Sequence, residues 1–278
     1  IGNLFSQFAL GNTEKIALTI NLMSVVFSAL TILLLFWTIK RLIKKIITNK
    51  FLITLGSIVG SLIYTFSDSF WFSALEGEVY AMSSFFTALV FWAIIRWEED
   101  VDSKKRANKW LILIAYLIGL SIGVHLLSLL VIPAIVLIYY FKKYPFSKKG
   151  FILANIFSVI LLALIYNFII PQFVNVAGKF EIFFVNQLSL PFNSGTIFFF
   201  CIISLSIIGG LVISTRQKYY HLNSSILALT FLLIGYMSFF TLVIRSNANT
   251  PIDENSPEDA VSLLSYLNRE QYGFSPLL

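Results

Sequence analysis

The chain has 278 residues, of which 58% are hydrophobic and only 12% charged, with a mean hydropathy of +0.84. A soluble domain carries about 25% charged residues, so this composition excludes a soluble globular protein and indicates a polytopic membrane protein. Its single cysteine, Cys201, lies in an apolar run and excludes a disulfide framework and a thiol metal site.

Repeated apolar runs predict an all-α transmembrane bundle of about eight spans. They are 16–39, 51–66, 79–95, 110–124, 125–141, 151–170, 196–214 and 224–244. As one helix, 110–141 would be about 48 Å long, which exceeds a hydrocarbon core of about 30 Å. We therefore predict that it forms a short two-helix hairpin, which turns around residues 119–125.

The cations follow this topology. The loops 40–50, 96–109, 142–150 and 215–223 hold 16 of the 20 Lys and Arg residues. By the positive-inside rule these loops are cytoplasmic, and both chain ends lie outside. The positive net charge of +6 is then a topology signal, and a nucleic-acid partner is not expected. Aromatic residues near the span ends are typical of an aromatic belt: Trp71, Trp97, Trp110, Tyr139 and Tyr140.

The loop after the second span contains two carboxylates, Glu76 and Glu78, separated by Gly77 and preceded by Asp68. Carboxylates beside a bilayer core are costly and often functional. The cluster could hold a divalent cation, Mg²⁺ or Mn²⁺, through hard oxygen ligands, or supply a general base. The alternative is a solvated loop whose acids cap the next helix.

His125 lies at the tip of the predicted hairpin, on the same outer side as the two glutamates. A histidine in an apolar stretch is commonly a packed, hydrogen-bonded residue. At a Gly-flanked break, however, irregular backbone should face protein or a water-filled cavity. His125 and Glu78 could then share a metal, or act as a base and its partner.

Arg245 ends the last span on the outer side, against the charge pattern of the chain. Arg suits a bidentate grip on a lipid phosphate, and the alternative is a snorkelling interfacial anchor.

Residues 245–278 follow the predicted transmembrane domain (1–244) as an extracytoplasmic segment. Ser256 is the expected N-cap of an amphipathic helix, with Pro257 in its first turn and Gly273 as a stop. Its apolar stripe is Val261, Leu264 and Leu267. Such a helix would lie on the outer surface or open a further region.

Four strings together resemble one family, and they occur in the family's order over nearly the whole chain. They are INLMSVVFSALT (20–31), SFWFSALEGEVYAMSSFFTALVFWAIIRWE (69–98), GLSIGVHLLSLLVIPA (119–134) and VIRSNANTPIDENSPEDAVSLLSYLNREQYG (243–273). The family is a large, mostly bacterial membrane family, once known only as a domain of unknown function. It is similar to the animal protein O-mannosyltransferases and is placed among the GT-C glycosyltransferases.

This resemblance implies transfer of a sugar, mannose, from a polyprenyl-phosphate donor to a protein hydroxyl at the outer face of a bacterial inner membrane. It implies that Glu76 and Glu78 form an acidic catalytic or metal site, with His125 as a further catalytic candidate. Arg245 would hold the donor phosphate, and Asp68, Trp71 and Tyr80 are further candidate substrate-binding residues. The resemblance also places the family's catalytic acid in a first outer loop upstream of Ile1, which implies that this segment is inactive alone.

Two other classes stay open at this point. A transporter or lipid flippase would use Glu78 and His125 as ion-coupling groups, but the internal repeats typical of transporters are not evident in the sequence. A non-catalytic membrane subunit would present the carboxy-terminal region to partners.

Overall fold

In a computed structural model, which describes residues 1–102, 107–248, 250 and 253–273, the chain is a helical bundle without strands in the described part. The helices before the middle of the chain are α1 (Gly2–Ser6), α2 (Ile16–Lys44), α3 (Lys50–Thr65), α4 (Asp68–Leu75), α5 (Val79–Asp102) and α6 (Asn108–Ile122). Those after it are α7 (Ile132–Lys143), α8 (Lys148–Leu164), α9 (Ile170–Asn186), α10 (Ser194–Arg216), α11 (Tyr220–Tyr236), α12 (Thr241–Ser246) and α13 (Ala260–Leu267). The all-α membrane class is thereby confirmed.

Each of the eight predicted spans coincides with an apolar helical segment, but these segments differ in length. Among the described residues, six helices are long and apolar enough to cross a membrane, or seven if α3 and α4, which meet at a 68° bend, form one span. Helix α6 has 15 residues and is about 22 Å long, so it is shorter than a hydrocarbon core of about 30 Å. It does break from the following segment near His125, as predicted, whereas two crossings by residues 110–141 stay a prediction.

The helix that contains the predicted span 151–170 does not end at residue 170. Helix α8 continues through a π-helical turn, Ile165–Ile169, directly into α9, giving 39 consecutive helical residues. Pro171 lies in the first turn of α9 and has no N–H to donate, and a wider turn just before it accommodates the break. The hydroxyl of Tyr236 donates to the carbonyl of Ile170 at 3.0 Å, so this irregular backbone is stabilised from α11.

Helices α2 and α3 pack closely where Ile43 and Ile39 of α2 lie against Gly56 and Gly60 of α3, and both helices bury small polar side chains. The buried face of α2 is rich in hydroxyls: Thr19, Ser24, Ser28, Thr31 and Thr38. On α3 the buried positions recur every four residues, at Ile53, Ser57 and Ser61. Small residues allow two helix backbones to approach closely. In a membrane, where the hydrophobic effect does not drive helices together, this close packing favours helix association.

Helices α6 and α11 form a parallel pair at the centre of the bundle. Near their N-terminal ends, Asn108 donates to Ser224 at 3.3 Å, and further along Gly119 and Gly235 lie against the opposite backbone. A Cβ on Gly119 would lie 2.1 Å from the carbonyl oxygen of Leu232, so only glycine permits this approach. The core cluster extends outward from this pair, while α10 is mostly exposed, as expected for a helix against lipid.

Candidate active site

The predicted site residues all lie at one end of the bundle. This end contains the loop before α5, the break after α6, and the segment from α12 to α13; we call it the acidic end. The opposite end holds the Lys- and Arg-rich loops and is called the basic end. It is bound together by ion pairs such as Arg41 with Glu99 and Lys45 with Glu98, at 3.3 and 2.5 Å.

The Glu-Gly-Glu loop joins α4 to α5. Glu76 is the C-cap of α4 in an extended conformation, and Glu78 immediately precedes Val79, where α5 begins. A Cβ on Gly77 would lie 3.0 Å from the side-chain oxygen of Asn21, so the loop rests on the first turns of α2. Both carboxylates are exposed, and neither makes a hydrogen bond or an ion pair with the described residues. Their exposure and the position of Glu78 directly before α5 agree with the solvated-loop alternative, and the same exposure leaves both carboxylates accessible to a ligand.

Asp68 and Trp71 lie on α4, below the same loop. Asp68 is exposed in the first turn of that helix, where a carboxylate favours the N-terminal dipole. Trp71 is also exposed and stacks on Phe66, with ring centroids 5.8 Å apart. These two residues thus share the end of the bundle with Glu78.

His125 and Tyr80 are in direct contact. Their ring centroids are 5.4 Å apart, although 44 residues separate them in the chain. The Nδ1 of His125 accepts the backbone N–H of Leu127 at 3.1 Å, which caps a 3-10 turn, Leu126–Val131. In the neutral ring this contact leaves the proton on Nε2. The imidazole is therefore held in one orientation by its own turn, with an N–H available to a ligand.

Arg245 lies in a separate pocket of about 520 Å³ at the same end. The pocket is also lined by Ser246, Asp253, Glu254 and Tyr266. The Ser246 hydroxyl donates to Asp253 at 2.7 Å, whereas Arg245 is exposed and forms no ion pair within the described ranges. Burial raises the pKa of the Tyr266 phenol, and the negative charge of Glu254 raises this pKa further, so the hydroxyl remains a donor. The pocket thus offers one free guanidinium beside two carboxylates.

A continuous set of contacts connects the two parts of the acidic end. The break that carries His125 packs on the 3-10 turn Met237–Phe240, because a Cβ on Gly123 would lie 3.2 Å from the hydroxyl of Ser238. In that turn Phe239 contacts Tyr266 with ring centroids 6.3 Å apart, and Tyr266 lines the Arg245 pocket. The His125 break and the Arg245 pocket are therefore linked by direct packing contacts.

The structure does not assemble a complete metal site. Within the described ranges no three His, Cys, Asp or Glu side chains come close enough to hold an ion together. Glu76 and Glu78 remain two exposed hard-oxygen ligands. That number suits Mg²⁺, which usually retains several waters and binds through one or two carboxylates plus substrate phosphates.

The carboxy-terminal helix begins later than the sequence suggested. Asp259, not Ser256, is the N-cap, and it forms a capping box with Ser262. Helix α13 buries Ala260 and Leu263 and packs on α9, whereas the predicted stripe residue Val261 is 38% exposed. The other two predicted stripe residues, Leu264 and Leu267, pack against the core cluster as predicted.

Glu181 is a polar residue that sequence reasoning missed. It is buried in α9, where its two carboxylate oxygens accept N–H groups of Asn193 at 2.5 Å and Thr196 at 2.9 Å. The Thr196 hydroxyl also donates to it at 3.0 Å. These donors lie at the start of α10, so Glu181 joins two helices and its charge is compensated. A carboxylate inside the apolar string FEIFF was the available signal.

These features define an integral, multi-pass helical membrane protein with a polar site at one end of its bundle. The family model of the protein O-mannosyl-transferase TMEM260 N-terminal domain matches residues 1–148, which is more than half of the 278 residues. The chain therefore belongs to this family, and the resemblance found in the sequence is confirmed. The match includes Glu76, Glu78 and His125, and ends before Arg245. No curated protein and no solved structure matches the chain.

Proposed function

We propose that this chain forms the membrane part of a GT-C-type glycosyltransferase. The enzyme moves mannose from a polyprenyl-phosphate donor to a protein hydroxyl at the acidic end, which faces outward from a bacterial inner membrane. The family name supports O-mannosyl transfer. Donor, acceptor and orientation are part of the proposal.

One observation supports the proposal most directly. Tyr80, which lies two residues after Glu78 in the chain, packs on His125, and all three residues are within the range that the family model matches. Two distant segments thus bring a carboxylate, a phenol and an imidazole with a free N–H to one end of the bundle. Such a group of side chains suits a sugar, because the carboxylate accepts hydrogen bonds from the hydroxyl groups of the sugar and the aromatic rings offer it a flat apolar surface.

The chemistry follows from what each group can do. The acceptor hydroxyl loses its proton to a carboxylate base as its oxygen attacks the anomeric carbon of the sugar. The bond between that carbon and the phosphate oxygen breaks, and the phosphate leaves with the electron pair. We assign acceptor activation to Glu78, assisted by Glu76, and orientation to the Nε2 proton of His125. Asp68, Trp71 and Tyr80 are assigned to substrate binding.

Arg245 is assigned to the donor phosphate. A guanidinium can donate two parallel hydrogen bonds to phosphate oxygens, and these strengthen as the leaving group gains charge. The neighbouring carboxylates of Asp253 and Glu254 would accept hydrogen bonds from the sugar. In the alternative role for Glu76 and Glu78, the two carboxylates would hold a divalent cation, Mg²⁺ or Mn²⁺, which would supply positive charge beside the reacting groups.

Because the resemblance implies that this segment is inactive alone, the test is transfer from a radiolabelled polyprenyl-phosphate mannose by the full-length enzyme in detergent. Glu78→Gln should lower turnover at least a hundredfold, within the range of general base catalysis of about 10²–10⁴. Glu76→Gln should lower it much less, and Glu258→Gln, an exposed carboxylate in the same region, should leave it unchanged. If Glu78 and Glu76 hold a metal, a chelator should abolish transfer and added Mg²⁺ or Mn²⁺ should restore it.

The alternatives predict other results. A lipid flippase or transporter would move the donor across a vesicle membrane without transferring its sugar, and a non-catalytic subunit would not bind the donor at all. Unchanged turnover in Glu78→Gln, with normal expression, would remove Glu78 from the mechanism.

A further inference from the structure

A second cavity, at the basic end, is unrelated to the candidate active site. It has a volume of about 770 Å³ and lies among α5, α6, α7 and α11. Its charged and imidazole side chains are Lys109, Lys143 and His221, and no carboxylate belongs to its described lining. We call it the basic-end cavity.

Two of these three side chains, Lys143 and His221, differ from nearby cations in having no acidic partner in the described part of the chain. Lys142 pairs with Asp102, and Lys109 lies 3.9 Å from a carboxylate oxygen of Asp100. Lys143 and His221 make no ion pair within the described part of the chain. Both are exposed and line the cavity, so a mobile anion can reach them.

Polar donors from two helices complete the rim. Asn108 donates to Ser224 at 3.3 Å, which ties the first turn of α6 to that of α11 beside the cavity. Because these helices run parallel, both of their N-terminal ends point toward it. The positive ends of the two helix dipoles therefore add to the charge of the lysines.

The opposite wall is apolar. Trp97 lines the cavity and stacks on Tyr139 with ring centroids 5.0 Å apart. Leu111 and Ile112 of α6 also line the cavity and add to its apolar surface. A rim of cations and donors above an apolar wall suits a molecule with a phosphate at one end and acyl chains at the other.

We propose that the basic-end cavity binds an anionic phospholipid, whose phosphate contacts Lys143 and His221 while its acyl chains lie along the apolar wall. Basic pockets between transmembrane helices are suited to such headgroups. This site is at the opposite end from the glycosyl donor and does not depend on the proposed transfer activity.

The experiment measures lipid binding to the intact protein in an uncharged detergent. Phosphatidylglycerol and phosphatidylcholine with identical acyl chains are added separately, and native mass spectrometry counts the bound lipids while a thermal scan records Tm. Phosphatidylglycerol should bind and raise Tm, whereas phosphatidylcholine should do neither. In Lys143→Gln/His221→Ala, binding should weaken at least roughly tenfold, since both charge-assisted contacts to the phosphate are removed.

Lys149→Gln is the matched control, because Lys149 is at the same end but outside the cavity. It should bind phosphatidylglycerol like the parent. The lipid-free Tm of each variant reports folding, and Lys143→Gln alone replaces the double variant if that proves unstable. Equal binding of both lipids, equal loss in Lys149→Gln, or unchanged binding in the cavity variants would overturn the proposal. A Tm increase from inorganic phosphate that matches that from phosphatidylglycerol would overturn the assignment to a lipid.

Discussion

Replacement of Gly119 by alanine tests whether α6 and α11 are packed as described. The added Cβ would lie 2.1 Å from the carbonyl oxygen of Leu232 and 2.9 Å from the amide nitrogen of Tyr236. Ordinary contact begins at 3.4 Å, so the backbones must separate locally by about 1.3 Å. Both obstructing atoms belong to backbone and cannot rotate away.

The expected cost follows from overpacking, which is typically about 1–3 kcal/mol. For a chain of this size about 1 kcal/mol corresponds to about 2–4 °C, so Tm should fall by roughly 2–12 °C. The pair also joins His125, just after α6, to the turn leading from α11 to Arg245. Transfer activity should therefore decrease together with Tm.

The assay is a thermal scan of the purified protein in detergent, with Gly209→Ala as the matched control. Gly209 lies in α10 with open space around its Cα, so its alanine variant should keep Tm or raise it slightly. A Gly119→Ala protein that melts like Gly209→Ala would show that these two helices do not approach each other as closely as described.

Two further predictions concern the acidic end. When Arg245 is replaced, transfer activity should decrease in the order Arg, Lys, Gln, because Lys keeps the charge but not the bidentate geometry. If Arg245→Gln binds and turns over the donor like the parent, Arg245 is only an interfacial anchor. In a Cys201→Ser background, Leu127→Cys and Glu76→Cys should react with an impermeant thiol reagent from the outside and Lys149→Cys only from the cytoplasm. Labelling of Leu127→Cys from the cytoplasm alone would rule out two crossings by residues 110–141.

The fold class was predictable because apolar runs and charge asymmetry are properties of single segments. The positions at which helices begin and end were harder to predict. Pro171 suggests a helix end, yet the chain passes it through a π-helical turn supported by Tyr236, which is 65 residues further on. The sequence around Pro171 gives no sign of this hydrogen bond, because Tyr236 lies in another helix.

The candidate site shows the same limit. Charge placement correctly assigned Glu78, His125 and Arg245 to one end of the bundle. It could not show that Tyr80 packs on His125, or that Asp253 and Glu254 share a pocket with Arg245, because these neighbours are set by helix packing. Glu181 was missed because its donors begin a helix twelve residues later, in a segment that reads as a loop.

The buried carboxylate of Glu181 has a consequence for biogenesis. Its hydrogen-bond donors, Asn193 and Thr196, are synthesised after α9 itself. Until they arrive, this buried carboxylate lacks the hydrogen bonds that it has in the folded protein, and an unpaired buried carboxylate is unfavourable. We therefore expect α9 and α10 to leave the translocation channel together as a hairpin. Helix α9 becomes stable in lipid only after the start of α10 has been synthesised.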